Sequence, residues 1–453
     1  MRFRVSEILF FERQVKLRLP FRFGVVTLTE APQAFVRARI KLENGTEAEG
    51  AAAELLAPKW FDKNPALSNE QNFDQLRLSL ALARDAYLAG RANTAFGHFW
   101  THYQPQIARG AAQGLNPLVA NYGPALIDRA VLDALCRALG ISFYQAIQTN
   151  VAGITAPETE GFLETLQPRS EIAARHTVGL IDPITSLEHR VNDGLPETLE
   201  EVVARYGHRW FKLKVGGDAK ADVERLAAIA SVLDRIPEPY HASLDGNEQY
   251  EDVEGVLELW RRMKAERRLA RLVSSIVFIE QPIKRQNALA ADVFALSKEK
   301  PVIIDESDDS LDAFPRAKAL GYRGVSSKTC KGLYKSIINA ARCAAWGRDY
   351  FMTGEDLTIQ AGLALQQDLA LVSLLGLTHL ERNGHHYVNG MAGLPAHEQE
   401  AFLRAHPDLY ERSHGAVRVR ITHGNLQFKS LDRPGYASGA MPDWNHMKEI
   451  KVQ

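Results

Sequence analysis

The sequence predicts an α/β protein: an eight-stranded β/α barrel carrying an α+β capping domain. Three observations lead there. Residues 1 to about 50 alternate apolar and polar side chains, residues 69 to about 147 turn to a helical period, and beyond about 155 short β-rich runs recur with a helical stretch after each. A chain of 453 residues is also too long for one small core, and suits a barrel of about 250 residues with a second domain of about 150.

In the front part, Ala34-Phe35-Val36-Arg37-Ala38-Arg39-Ile40-Lys41-Leu42 alternates as a half-buried strand does, and Asn44-Gly45 supplies a hairpin turn. An antiparallel sheet is expected. The run from Pro124 to Leu139 has helical apolar stripes and ends at Gly140, a glycine stop. Residues 1–150 are therefore read as the capping domain.

The barrel strands are expected at Thr177 to Ile181, Trp210 to Val215, His241 to Leu244, Ile276 to Ile279, Val302 to Ile304, Gly324 to Ser327, Asp349 to Met352 and Thr378 to Leu380. Their starts lie roughly two to three dozen residues apart, the room a parallel crossover needs for a helix and two loops. A doubly wound open sheet alternates in the same way, but rarely reaches eight strands, and its phosphate-binding glycine fingerprint is missing here. Residues 151–412 are assigned to the barrel. The stretch from Gly390 to about Glu411 reads as one more helix, and Val417 to Ile421 with Asn425 to Lys429 as a hairpin turning at His423-Gly424. Residues 413–453 are expected to return to the cap.

Bulk properties exclude several functions. With 54 basic against 55 acidic residues, nothing points to nucleic acid. No stretch approaches the roughly 20 apolar residues that span a bilayer. The apolar run Ile8 to Phe11 is far shorter than a signal-peptide core, and Cys136, Cys330 and Cys343 lack metal or disulfide spacing. A cytoplasmic protein is expected.

In a β/α barrel, reactive groups project from the carboxyl ends of the strands. Here those ends are polar: Lys212-Leu213-Lys214 on the second strand, Asp245-Gly246-Asn247 after the third, Glu280-Gln281-Pro282 after the fourth, Asp305-Glu306 after the fifth, and Lys328 with Lys331 after the sixth. Lys212 and Lys214, two apart, face one side of their strand while Phe211, Leu213 and Val215 face the other. Two ammonium groups inside a barrel need anions around them, which Asp245, Glu280 and Asp305 can provide. Three carboxylates from successive strands also make an oxygen-rich site suited to hard Mg²⁺.

Taken in order, Lys-x-Lys, Asp-x-Asn, Glu-Gln-Pro, Asp-Glu-Ser and Lys-x-x-Lys-Gly resemble the enolase superfamily, in particular its muconate-lactonizing branch within the mandelate racemase/muconate lactonizing enzyme family. The likeness runs over nearly the whole chain. Pro20-Phe21-Arg22-Phe23 and the helix ending Arg137-Ala-Leu-Gly-Ile141-Ser-Phe-Tyr144 resemble its capping domain, and Pro434-Gly435-Tyr436 its closing tail. The resemblance implies a modified TIM (β/α)7β barrel with Mg²⁺ on Asp245, Glu280 and Asp305, and Lys214 and Lys328 as acid and base on opposite substrate faces. It further implies that Lys212 helps hold a small-molecule carboxylate and that the protein is a homo-oligomer. The activity implied is removal of the proton next to the carboxylate, through an enediolate, giving racemisation or epimerisation, cycloisomerisation or elimination. A Schiff-base lyase on the same barrel and a non-catalytic binding protein retaining the metal site are the alternatives.

Several residues keep two readings. Glu306 competes with Asp305 as third metal ligand, and Asn247 either joins a hydrogen-bond network at the substrate or caps a helix. Asp356, after the seventh strand, orients substrate or a lysine, or is a helix-start acid. His385 and His386 read as exposed loop residues, with Glu381, Arg382 and His385 within reach of the pocket rim. The stretches 22–29 and 55–61 are expected over the barrel mouth, with Arg22 meeting a second anionic group. Phe23, Trp60 and Phe61 are expected to exclude water, though Trp60 and Phe61 fit interdomain packing equally well. The histidine of a mandelate-racemase-like dyad is missing from strand seven, and strand eight has no Asp-x-Asp, which disfavours a dipeptide substrate. The long step from Asp245 to Glu280 suggests an insertion around Arg261 to Arg271.

Overall fold

The computed structural model describes residues 1–24 and 26–451. Val25, inside the expected 22–29 stretch, lies outside the described residues.

Strands β1 (Phe3–Phe23), β2 (Val26–Leu42) and β3 (Glu47–Leu55) form the antiparallel sheet that the alternation predicts. The helix Tyr122–Leu139 ends at Gly140 in the left-handed conformation, φ 64°, which is the predicted stop. It packs so closely on β3 that a Cβ placed on Gly50 would lie 2.2 Å from the Ala134 nitrogen. Its Asp133 carboxylate accepts the Ala51 N–H at 2.9 Å, so the helix blunts the edge of β3.

The barrel consists of β4 (Glu171–Val178), β5 (Trp210–Lys214), β6 (His241–Asp245), β7 (Ile276–Glu280), β8 (Val302–Ile304), β9 (Gly324–Ser327), β10 (Phe351–Gly354) and β11 (His379–Arg382). All neighbours pair in parallel, and β11 pairs back onto β4 from His379↔Ala173 to Arg382↔His176, closing the ring. Phe211, Leu213, Leu244 and Ile279 point outward into a core shared with the helix layer, while Lys212 and Lys214 point inward. The stretch from Arg261 to Arg271 runs from the end of the helix Val253–Ala265 into a second short helix, Ala270–Ser275. No helix among the described residues is long and apolar enough to cross a membrane.

Two expectations need correcting. The first barrel strand begins at Glu171, well before Thr177, because Arg175 and Thr177 face inward and give the run a polar look that hides the strand. The late hairpin is also shifted. Ala416–Val419 (β13) pairs with Tyr410–Ser413 (β12) around His414 and Gly415, whose φ values of 49° and 76° give the two left-handed residues a tight hairpin turn needs. His423-Gly424 turns as well, with φ 50° and 75°, but it delivers Asn425–Gln427 (β14) antiparallel onto the start of β4. The following tail reaches the cap, where Lys448–Glu449 (β15) pairs with Phe11 and Glu12 of β1.

Candidate active site

Lys214 and Lys328 follow from the second and sixth strands of a closed ring of eight, four positions apart, and so stand across the barrel from each other. Both line one tight pocket between barrel and cap. On the arc between them come Asp245, Glu280 and Asp305 from β6, β7 and the end of β8, all buried. On the other arc come Glu355, after β10, and Glu381 in β11, also buried.

Lys212 is the hub. Its ammonium lies 2.9 Å from Asp245, 2.8 Å from Glu280, 2.7 Å from Glu355 and 3.0 Å from Glu381. Lys214 contacts Asp245 at 2.5 Å, and Lys328 contacts Asp305 at 2.5 Å. Lys331 reaches Ser326 at 2.8 Å and Asp305 at 3.4 Å, and Ser326 donates a further short hydrogen bond to Asp305. Arg175 pairs with Glu355 beneath Lys212.

Burial works against the Lys212 charge, but the carboxylates led by Asp245 and Glu280 more than offset it and hold the ammonium well above its ordinary range. Lys328 follows the same logic: burial opposes its charge, and Asp305 overrides burial. Burial likewise opposes the charge of Asp305, yet Lys328 and Lys331 keep it ionised below the usual carboxylate range. Glu280 differs, because burial together with Asp245 and Glu355 pushes its carboxyl well upward. The acid-rich arc is therefore short of positive charge at Glu280.

That shortage bears on the fit for magnesium. Glu280 Oε2, Glu306 Oε2 and Asn247 Oδ1 are buried with no hydrogen-bond partner, and hard oxygen donors of this kind suit Mg²⁺. Asp245, Glu280 and Asp305 are not, however, drawn into one closed cage. Among the described residues, the metal donors lying within 4.8 Å of one another are His176, His208 and His385, elsewhere in the fold. The reason is electrostatic: Lys212 bridges Asp245 to Glu280, and Lys328 occupies Asp305, so ammonium groups supply the charge between the acids. Glu306 turns the other way, toward Asn247 Nδ2 at 3.3 Å and Lys63 at 3.5 Å.

The cap supplies an apolar wall of Phe21, Phe23, Leu28, Ala57 and Trp60. Lys328 sits 4.3 Å from the centre of the Trp60 ring. Phe61 packs edge-on against Trp60 and Tyr122, which makes it a packing residue. Arg285, held by Glu248 at 2.8 Å, donates to the Trp60 and Phe61 carbonyls at 2.8 Å each and clamps this loop to the barrel.

Arg22 does not meet its expectation. It is exposed on β1, and strand alternation turns Phe21 and Phe23 to the pocket instead. Asp356 lines the pocket, but its oxygens are engaged by the backbone N–H groups of Ile359, Asn383 and Gly384 and by Arg382 at 3.1 Å. Asn247 lines the pocket and donates its own N–H to Asp245 at 2.8 Å. His385 and His386 are not exposed loop residues: they form part of a short buried helix, Gly384–Tyr387, packed on His176 and His208.

Sequence reasoning passed over Glu355, Arg175 and the role of Gln281. The Gln281 side chain accepts from Asp305 N at 2.9 Å and Ser307 N at 3.1 Å, and donates to Ser307 Oγ at 2.8 Å. It latches the end of β7 to the end of β8, a reason for glutamine within Glu-Gln-Pro. A signal for Glu355 existed in Gly354-Glu355-Asp356, two acids directly after a barrel strand, where reactive groups project.

The family model described as Enolase C-terminal domain-like matches residues 194–437. Among solved structures, 2-chloromuconate cycloisomerase from Rhodococcus opacus 1CP is similar with TM-score 0.62 and 17% identity, over 98% of this chain and 98% of that one. Muconate lactonizing enzyme from Mucobacterium Smegmatis, complexed with muconolactone, gives TM-score 0.61 and 18% identity over 99% and 100%. Dipeptide epimerase from Methylococcus capsulatus, complexed with Mg and the dipeptide L-Arg-D-Lys, gives 0.58 and 18% over 96% and 99%. Comparison with curated protein sequences finds no match. Because the family model spans more than half of the chain, the chain belongs to the enolase C-terminal domain-like family, and so to the enolase superfamily.

Proposed function

We propose that this protein removes the proton α to the carboxylate of a small-molecule substrate, with Lys214 and Lys328 serving the two faces of the reacting carbon. The observation that carries this reading is their placement on the second and sixth strands, across one pocket, with the acids of β6 to β8 on the arc between them. A proton taken by one lysine and returned to the same carbon by the other gives racemisation or epimerisation. A proton exchanged together with ring closure or opening gives cycloisomerisation, and a proton taken by one lysine while the other protonates a departing β-substituent gives elimination.

Asp245, Glu280 and Asp305, with Glu306 the alternative third ligand, would hold magnesium, which when bound would supply positive charge where an enediolate develops. Lys212 holds the acids in place and is positioned to meet the substrate carboxylate. Asn247, with its buried Oδ1 free, offers a polar contact to the substrate. Phe21, Phe23, Leu28 and Trp60 exclude water and favour an apolar body on the acid. Asp356 positions the 356–360 loop, and Arg22 is not assigned to the site.

Deuterium exchange tests this reading. Wild-type protein with Mg²⁺ in D₂O, offered a panel of small carboxylic acids, is expected to exchange the α-hydrogen of at least one. Lys214→Ala and Lys328→Ala are each expected to slow exchange on one face by about 10²- to 10⁴-fold. Exchange that survives both substitutions, or that persists undiminished in EDTA, refutes the proposal. Loss of activity on borohydride reduction with a carbonyl compound indicates a Schiff-base lyase instead.

A further inference from the structure

Outside the barrel wall, where β11 closes onto β4, three imidazoles from distant parts of the chain meet. His176 points outward from β4, since Arg175 and Thr177 on either side of it point inward. His208 follows the helix Leu199–Tyr206, and His385 belongs to the short helix after β11. Their ring centres form a nearly equilateral triangle, 5.3 Å from His176 to His208, 5.4 Å from His176 to His385 and 5.3 Å from His208 to His385. One nitrogen from each lies within 4.8 Å of the others.

The hydrogen bonding is that of a ligand set. The Nδ1–H of His208 donates to the Ala174 carbonyl at 2.9 Å, which fixes the tautomer and leaves a lone pair on Nε2. That Nε2, with His176 Nδ1 and both nitrogens of His385, is buried without a partner. An unpaired buried polar atom is costly, so a simple stack of packed histidines leaves this corner under-satisfied. Burial, first of all, holds all three rings below their ordinary pKa, so each is a neutral imidazole that can offer its lone pair. A small cleft, with room for about one water, adjoins His385 and is lined also by Tyr206, Ile359, Gly384 and Arg418, so a water can serve as a fourth ligand. The neighbouring Arg18 is already neutralised by Asp193 at 2.5 Å.

We infer that His176, His208 and His385 bind a divalent metal of the borderline class, Zn²⁺ above all, separately from the acids of the barrel mouth. Three neutral imidazoles with an open fourth position suit Zn²⁺ or Co²⁺ and not Mg²⁺, which prefers oxygen. Zinc-to-nitrogen bonds of about 2.0–2.1 Å ask the rings to draw in slightly from their present spacing. A metal there ties the first and last barrel strands together at the seam.

Cobalt(II) titration of the full-length protein in excess Mg²⁺, which occupies oxygen sites, is the test. One Co²⁺ per chain is expected, with the visible bands of a four-coordinate nitrogen site, displaced by Zn²⁺. His385→Ala, at a half-buried position near the surface, is expected to abolish the bands, while Asp245→Asn retains them. Unchanged cobalt binding in His385→Ala, or no visible bands in wild type, overturns the inference. Anomalous diffraction from zinc-soaked wild-type crystals decides the matter without any variant: a peak bonded to the three rings supports it, and a peak only at Asp245, Glu280 or Asp305 refutes it.

Discussion

Replacing Lys212 with methionine removes one positive charge from among four carboxylates while keeping the length of the side chain. Asp245, Glu280, Glu355 and Glu381 all lie within 3.0 Å of that ammonium, and all five groups are buried. Removing one partner from a buried ion pair costs about 3–5 kcal/mol, because the remaining charges can neither reach water nor find a counter-ion. With an unfolding entropy of about 2.1 cal/mol/K per residue over 453 residues, that loss lowers the melting temperature by about 3–5 °C if cap and barrel unfold together. The pH dependence is the sharper signature. In wild type the Lys212 pKa is raised, so its contribution is whole below the ordinary lysine value and constant from pH 5 to pH 8. In Lys212→Met the acids, already crowded enough to push Glu280 upward, take up protons in the folded state, and the variant regains stability as pH falls. The gap between the proteins is thus expected to be widest at pH 8, to shrink by pH 5, and to narrow at pH 8 when Mg²⁺ is added. Urea unfolding followed by circular dichroism at the two pH values measures it. An equal gap at both, or a variant more stable than wild type at pH 8, refutes the reasoning.

Two further predictions concern the cap. Asp128 is buried beside Tyr87, whose hydroxyl donates to it at 2.6 Å, and burial pushes its carboxyl up to about 8. A raised carboxyl means that folding holds a proton the unfolded chain releases near 3.8, so stability falls as pH rises from about 4 to about 8. At 1.36 kcal/mol per pH unit that span gives an upper bound of ~6 kcal/mol. Asp128→Asn, which keeps an acceptor for Tyr87, is expected to melt higher than wild type at pH 8, with the advantage fading toward pH 4; an advantage independent of pH contradicts this. Gly50→Ala is expected to destabilise by about 1–3 kcal/mol or more, because its Cβ meets backbone atoms of Ala130 and Ala134 at 2.3 and 2.2 Å, and unaltered melting of this variant contradicts the packing.

The barrel was legible because chemistry and strand ends coincide. Lys212 and Lys214 share a strand face by simple alternation, and Asp245, Glu280 and Asp305 each end a recognisable apolar run. Residues whose meaning depends on closure of the ring stayed hidden. Glu355 becomes a partner of Lys212 only because β10 curves round to face β5, and Glu381, expected within reach of the rim, joins it from β11. Arg22 was misjudged for want of register: a motif near the mouth does not tell which of three adjacent side chains looks in, and Phe21 and Phe23 do. The histidine trio could not be read at all, since His176, His208 and His385 meet only through the β4–β11 seam.

The pairing of Phe11 with Glu449 means that the cap is assembled from segments more than 400 residues apart in the chain. Trp444 covers Phe11 with its ring 5.0 Å away, and Tyr436 stacks on Phe143 at 3.9 Å. A ribosome working from the amino end therefore releases the first three strands with one flank bare and must finish the whole intervening ring before that flank is sealed. Stalled synthesis or loss of the late segment is then felt first in the early strands, where apolar aromatic surface is left uncovered for chaperones and proteases to find.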